Sequence, residues 1–178
     1  MPKLGKADPE VAAAVFAQHL DAFWSTGRPQ ALGMERISID SLRSVIGLTA
    51  RRASGKTDRY FVLLGAEYYD AYPPTVMFVR PSDAGDWLEA KHGTVWYPLI
   101  KFPPQPPPWF QLHPAQQIEG YGQPRQLVCF SFTAEYYMTN HRPTETQTWV
   151  QGRHTVAATL NRLQEVLLPP LYQEPSGS

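Results

Sequence analysis

Apolar residues recur with helical spacing near the start of the chain. Asp8 and Pro9 precede this pattern, and Asp can cap free backbone amides while Pro fits the first helical position. The pattern therefore predicts a helix from Asp8 to about Ser25. Its apolar stripe consists of Ala12, Phe16, Leu20 and Phe23.

Three segments rich in branched and aromatic residues follow, at 45–53, 60–67 and 75–79. The first two are separated by Ser-Gly-Lys-Thr-Asp at 54–58, a composition typical of a tight hairpin. The last two are separated by a segment containing Pro73 and Pro74, which cannot donate to a strand ladder. We predict an antiparallel meander of these three strands, with residues 126–132 as a fourth.

The region from 81 to 110 shows no clear period. Within it, residues 101–109 contain five prolines, too few backbone donors for a sheet or a helix, so we expect an extended, polyproline-like loop. Such a loop suits either a rigid surface connection or an aromatic-lined groove on a partner. Both interpretations stay open.

The last strong pattern predicts an amphipathic helix from about Gln151 to Leu168, followed by two prolines and a frayed tail over 173–178. The predicted fold is α+β, with an N-terminal helix, a four-stranded antiparallel meander, a long irregular segment and a C-terminal helix. We expect one domain over residues 1–178, with an ordered core of about 8–172. The apolar face of the last helix consists of Val156, Leu160, Leu163 and Leu167.

Charge and composition exclude several classes of partner. The 178 residues include 16 basic and 16 acidic side chains, so no net field favours nucleic acid or an anionic membrane. The N-terminus lacks the apolar core of a signal peptide, and one cysteine cannot form an internal disulfide. We therefore expect a cytoplasmic protein that binds neither nucleic acid nor membrane.

Cys129, the only cysteine, is the best candidate for chemistry. It lies in an apolar run, with His113 and Pro114 before it and a polar segment containing Asn140 and His141 after it. A lone cysteine in such a run is also typical of an inert core residue. The five histidines show no close pairing and there is no second cysteine, so we expect no metal and no cofactor.

The order of the motifs resembles the ubiquitin-conjugating enzyme family, over residues 8–168. Each motif is short, and their order carries the resemblance. The narrower likeness is to divergent bacterial relatives, because the family's last two helices are absent and the segments on either side of Cys129 are longer. The matching motifs are Tyr72-Pro73-Pro74, His113-Pro114-Ala115, Gly122, Leu127-Val128-Cys129-Phe130, Trp149 and the helix after Thr155.

The resemblance implies a transferase in a bacterial conjugation pathway. Cys129 would accept a ubiquitin-like modifier from an activating enzyme as a thioester and transfer it to an amine of a protein substrate. Thiolate suits this role because it is both a good nucleophile and a good leaving group. The implied partners are therefore the modifier, the activating enzyme and the protein substrate.

Ala115 stands where the family has an asparagine that supports the oxyanion, a type of contact worth about 3 kcal/mol. Replacement donors near Cys129 are Gln116, His113, or the pair Asn140 and His141, which we favour because their loop can fold back over the thiol. His141 can alternatively take the proton of the incoming amine.

Two other functions stay open. The same fold can serve as a non-catalytic module that only holds a ubiquitin-like protein, which the missing asparagine favours and which predicts a buried, slowly reacting thiol. An unrelated α+β protein that binds a small ligand is the other alternative. In that protein Trp87, Trp96 and Trp109 would line a pocket, and the strand order would differ from the predicted meander.

Overall fold

The computed structural model describes residues 4–102, 109–118, 123–139, 141 and 148–178. The first half contains α1 (Pro9–Ser25), α2 (Arg28–Ala31), β1 (Glu35–Ser38), β2 (Arg43–Arg51), β3 (Thr57–Gly65), β4 (Thr75–Pro81) and β5 (Trp87–Glu89). The second half contains β6 (Pro98–Ile100), β7 (Gln111–Gln116), β8 (Arg125–Cys129), α3 (Ala134–Met138), α4 (Val156–Val166) and β9 (Tyr172–Pro175).

Helix α1 begins and ends where its sequence pattern indicates. The side chain of Asp8 accepts hydrogen bonds from the backbone N–H groups of Glu10 and Val11, two of the donors that a helix start leaves without a partner. All four residues of the predicted apolar stripe are buried. The cap and the stripe therefore fix both the start and the orientation of this helix.

The main sheet is an antiparallel meander of five strands in the order β1-β2-β3-β4-β5. The three predicted strands are its centre, β2 to β4, and a tight turn with Gly55 at φ +86° connects the first two. Strands β1 and β5 extend the sheet at its two edges, and each pairs along only three or four residues. The α+β class is confirmed, and the sheet has one strand more than predicted.

One face of this sheet packs against α1 and α4. Ile46, Val62 and Phe78 point into this core from three neighbouring strands, and Leu160 and Leu163 of α4 are fully buried against them. Gln164 of α4 also donates from Nε2 to the carbonyl of Thr49, at 2.9 Å. The predicted apolar face of the last helix is thus the face that closes the core.

Two predictions about the second half need correction, and a third lies outside the described residues. Among the described residues, the strand that ends at Cys129 is not part of the main sheet: β8 pairs with β7, in a separate two-stranded ladder. Regular structure is present between 81 and 110, as β5 and β6. The proline-rich residues 103–108 lie outside the described part of the chain.

The C-terminal tail is not frayed, contrary to the prediction. Strand β9 pairs with β6, and the backbone N–H of Ser176 donates to the carbonyl of Tyr97. The Tyr172 ring is buried, and its hydroxyl lies 2.7 Å from that of Tyr60 and donates to Asp58 at 2.8 Å. These partners are distant in the sequence, so no local pattern could reveal them.

Candidate functional site

Strand alternation along β8 separates Cys129 from the main core. Successive side chains of a strand point to opposite faces, so Gln126 and Val128 face one way and Leu127 and Cys129 the other. Val128 belongs to the main core. Cys129 belongs to a small separate cluster with Ile118 and Leu127. The cysteine is therefore buried under a local cover and not within the central core.

Gln126 holds this hairpin against the main sheet. Its Oε1 accepts from the N–H of Phe78 at 2.6 Å, and its Nε2 donates to the carbonyls of Phe78 at 3.2 Å and Ala90 at 2.7 Å. The amide thus fills a gap in the pairing between β4 and β5. It fixes the strand that ends at Cys129 relative to the five-stranded sheet.

The pairing of β7 with β8 brings the His-Pro motif beside the cysteine. Gln111 lies opposite Cys129 and His113 opposite Leu127, so all four side chains share one face of the ladder. His113 Nε2 lies 3.2 Å from Gln111 Oε1. His113 and Cys129 are therefore sixteen residues apart in the sequence but lie on the same face of the hairpin.

The cover over Cys129 comes from α3. The first helical N–H, that of Ala134, donates to the carbonyl of Pro74, which ties α3 to the predicted proline turn. Tyr136 and Met138 pack onto the cluster that contains Cys129. The helix thereby covers the thiol on one side, and only 2% of the Cys129 surface is exposed.

Thr139 and His141 complete the cover, immediately after α3. The sulfur of Cys129 lies 3.7 Å from His141 Nδ1, 4.0 Å from His141 Nε2 and 3.9 Å from Thr139 Oγ1. Thr139 Oγ1 and His141 Nδ1 are 2.5 Å apart. The imidazole also stacks on the ring of Tyr136, with centroids 4.5 Å apart and planes at 23°. The thiol, the hydroxyl and the imidazole form one hydrogen-bonding group.

The electrostatics of the site favour neutral forms. Burial raises the pKa of the Cys129 thiol to about 12, against a smaller lowering by the hydrogen bond with Thr139, and the Glu135 carboxylate raises this pKa further when it is ionised. Burial also lowers the pKa of His141, as does the neighbouring charge of His113. In this arrangement the cysteine is a thiol and the imidazole is neutral at pH 7.

Glu135 is a site residue that the sequence did not indicate. Its carboxyl is buried and accepts the backbone N–H of Val76 at 3.0 and 3.2 Å. Burial raises its pKa to about 8, so it is largely protonated at neutral pH. No local pattern marks it, because its burial depends on α3 lying across the start of β4.

Trp149 connects this region to the last helix. Its backbone N–H donates to the Tyr137 hydroxyl at 2.7 Å, and its indole N–H donates to the carbonyl of Asp70 at 2.7 Å. Tyr137 in turn donates to the carbonyl of Ser131. The tryptophan therefore links α3, the proline turn and the approach to α4.

The structure brings together three of the four predicted site residues: Cys129, His141 and His113. Asn140 lies outside the described residues. Ala115 and Gln116 lie on β7 with exposed side chains. Thr139 was missed in the sequence because a threonine in a polar loop carries no distinguishing pattern.

Cys129 lines neither of two cavities in the structure. One of about 520 Å³ lies between α2 and α4, with Arg28, Asn161 and Arg162 among its lining residues. The other, of about 260 Å³, lies beside the start of β4 and includes Glu67 and Glu135. None of the three tryptophans proposed to line a ligand pocket contributes to either cavity.

Within the part of the chain that the structure describes, no three metal-binding side chains lie close enough together to hold an ion. Among the same residues, no helix has the length and apolar character needed to cross a membrane. In comparisons with protein-family models, curated proteins and solved structures, nothing matches this chain. The resemblance to ubiquitin-conjugating enzymes therefore remains a proposal based on motif order and site geometry.

Proposed function

We propose that the chain is a ubiquitin-conjugating-like transferase that carries a ubiquitin-like modifier as a thioester on Cys129. The observation that carries this proposal is the convergence of three groups from separate segments. The sulfur lies within 4.0 Å of both ring nitrogens of His141, and His113 lies on the same face of the hairpin. An inert core cysteine needs no such polar group at its sulfur.

The order of elements supports the same proposal. A helix, an antiparallel meander with a proline turn before its fourth strand, a His-Pro hairpin ending in the cysteine, a tryptophan and a closing helix follow one another. The proline turn contacts α3 through Pro74, and the tryptophan contacts α3 through Tyr137. The proline turn and the tryptophan therefore both contact the helix that covers the thiol.

The first half of the transfer is an exchange of the modifier's acyl group between two thiols. His141 takes the proton of Cys129, and the thiolate attacks the carbonyl carbon of the modifier's thioester on the activating enzyme. The bond to the activating enzyme's sulfur then breaks, and that sulfur leaves with the proton returned by His141. In the second half, an acceptor amine attacks the Cys129 thioester, loses a proton to His141 and forms an amide, which releases the thiol.

The described arrangement is a covered state of this site. Tyr136, Met138 and His141 surround a sulfur that is 2% exposed, so a thioester carbonyl cannot approach it without displacement of the cover. The raised pKa of Cys129 has the same origin in burial, and exposure would lower it toward its ordinary value. We therefore expect the isolated chain to react slowly and its activating enzyme to accelerate the reaction.

The second candidate function is a non-catalytic module that holds a ubiquitin-like protein. Two observations favour it: the burial of Cys129 and the exposed Ala115 in place of an oxyanion donor. It differs from the first candidate in one measurable respect. A binding module never needs an exposed Cys129, with or without partners.

The decisive experiment uses the chain with its cognate activating enzyme, ATP and modifier. The first candidate predicts an adduct that a reducing agent removes. Cys129→Ser should give either no adduct or an oxyester that resists reduction, and His141→Gln should slow adduct formation. An identical adduct on the Cys129→Ser variant refutes the proposal.

Alkylation by a maleimide reagent separates the two candidates. The free chain should react slowly in both cases, because burial keeps the thiol neutral. Addition of the activating enzyme without ATP should accelerate alkylation of a carrier, since docking must uncover the sulfur. An unchanged rate, together with binding of the modifier, would instead establish the non-catalytic module.

A further inference from the structure

The hydroxyl of Thr139 has one hydrogen and four polar neighbours. Its Oγ1 lies 2.5 Å from His141 Nδ1, 3.0 Å from the carbonyl of Tyr136 and 3.2 Å from the carbonyl of Glu135. It also lies 3.9 Å from the sulfur of Cys129. A hydroxyl has one hydrogen to donate and two lone pairs that accept, so its neighbours must divide between the two roles.

The two carbonyls can only accept. They belong to the last turn of α3, where helix carbonyls lack the intrahelical donors that interior carbonyls have. Threonine side chains near helix ends commonly donate to such carbonyls. Because the single hydroxyl hydrogen goes to this turn, Oγ1 must accept from its closest neighbour, His141 Nδ1.

We propose that Thr139 is a positioning residue that holds His141 as the Nδ1–H tautomer, which leaves Nε2 as the ring nitrogen that takes the thiol proton of Cys129 once the cover over the sulfur opens. This inference rests on the proposed function, since it names the residue that prepares the base of that site. Thr139 does not touch the reacting carbonyl and acts through His141.

The geometry around the ring supports this role. Stacking on Tyr136 fixes the plane of the imidazole, and the bond to Thr139 fixes its rotation within that plane. The lone pair of the neutral ring is then on Nε2, which lies 4.0 Å from the sulfur, while Nδ1 lies 3.7 Å from it. Because the sulfur is almost equidistant from the two nitrogens, the ring turns as the cover opens before Nε2 takes the thiol proton. In the proton transfer, the S–H bond breaks, Nε2–H forms, and Nδ1–H stays donated to Oγ1. The charge of the imidazolium balances that of the thiolate.

The opposite tautomer has a different consequence. If Thr139 donated to Nδ1, the proton of the neutral ring would reside on Nε2. Neither nitrogen could then accept from the thiol, and the two carbonyls of α3 would lose their donor. The direction of one hydrogen bond therefore decides whether His141 can act as a base toward Cys129.

The matched variants are Thr139→Val, which keeps the shape and removes the hydroxyl, and Thr139→Ser, which keeps the hydroxyl. Nitrogen NMR of the ¹⁵N-labelled imidazole of His141 reports directly which ring nitrogen carries the proton. We expect the Nδ1–H tautomer in the wild type and in Thr139→Ser, and a mixture in Thr139→Val. The maleimide rate of Cys129 at pH 7 should fall about fivefold in Thr139→Val, as the loss of one typical hydrogen bond predicts.

Two results would overturn the inference: an Nε2–H tautomer in the wild type, or a Thr139→Val variant whose tautomer and thiol reactivity match those of the wild type. If Thr139→Val does not fold, the wild-type tautomer alone decides the question. The NMR measurement needs neither modifier nor activating enzyme. A failure to form a modifier adduct with the Nδ1–H tautomer present would refute the proposed function and leave the positioning role intact.

Discussion

Gln126 offers the sharpest test of how the cysteine hairpin is attached to the main sheet. The amide is 1% exposed and makes three hydrogen bonds to backbone groups of β4 and of the residue after β5. Gln126→Met keeps the length of the side chain and removes all three. The carbonyl of Phe78 would retain a bond from the N–H of Ala90, at 2.9 Å.

The N–H of Phe78 and the carbonyl of Ala90 would then lose the partner that Gln126 supplies. A buried backbone group without a partner costs about 1–3 kcal/mol, so two such groups cost about 2–6 kcal/mol. Burial of the methionine side chain offsets part of this cost, by about 1 kcal/mol. We expect a net loss of about 3 kcal/mol in the free energy of unfolding.

Urea unfolding followed by tryptophan fluorescence and by circular dichroism measures this loss, and coincident transitions establish two-state behaviour. Gln173→Met is the matched control, because Gln173 is exposed and its Nε2 bonds only to nearby carbonyls. The control should stay within about 0.5 kcal/mol of the wild type. If Gln126→Met also stays within that range, the amide does not hold the hairpin to the sheet.

Three further predictions concern other parts of the fold. Tyr172→Phe removes a hydroxyl that donates to Asp58, so the free energy of unfolding in urea should fall by about 2 kcal/mol, and an unchanged value would contradict the role of this bond. Glu135 has a pKa raised by burial from 4.5 to about 8, so its stabilising contribution is complete below pH 4.5 and is lost as the pH rises to about 8. As the pH rises across that range, the free energy of unfolding of Glu135→Gln should increase relative to that of the wild type. Parallel curves of the two free energies against pH would refute the raised pKa of Glu135. Asp8→Ala removes the cap of α1 and should lower the free energy of unfolding, measured by thermal unfolding, by about 1 kcal/mol. An unchanged value would show that the cap does not stabilise the helix.

The sequence by itself determined the elements whose signal is local. The cap and stripe of α1, the three central strands and the apolar face of α4 each follow from a period or a capping residue within one segment. The sequence also indicated Cys129 and His141 as neighbours, since a polar loop that follows a strand closely can return over its end.

Only the tertiary structure decided which ladder β8 joins, where the tail lies and what surrounds the thiol. Strand pairing depends on partners that are distant in the chain, so β8 with β7 and β9 with β6 leave no local pattern. The roles of Glu135 and Thr139 arise from the position of α3 across the start of β4. Burial under that helix keeps Cys129 a neutral thiol, because a charge in a water-excluded cluster loses its hydration.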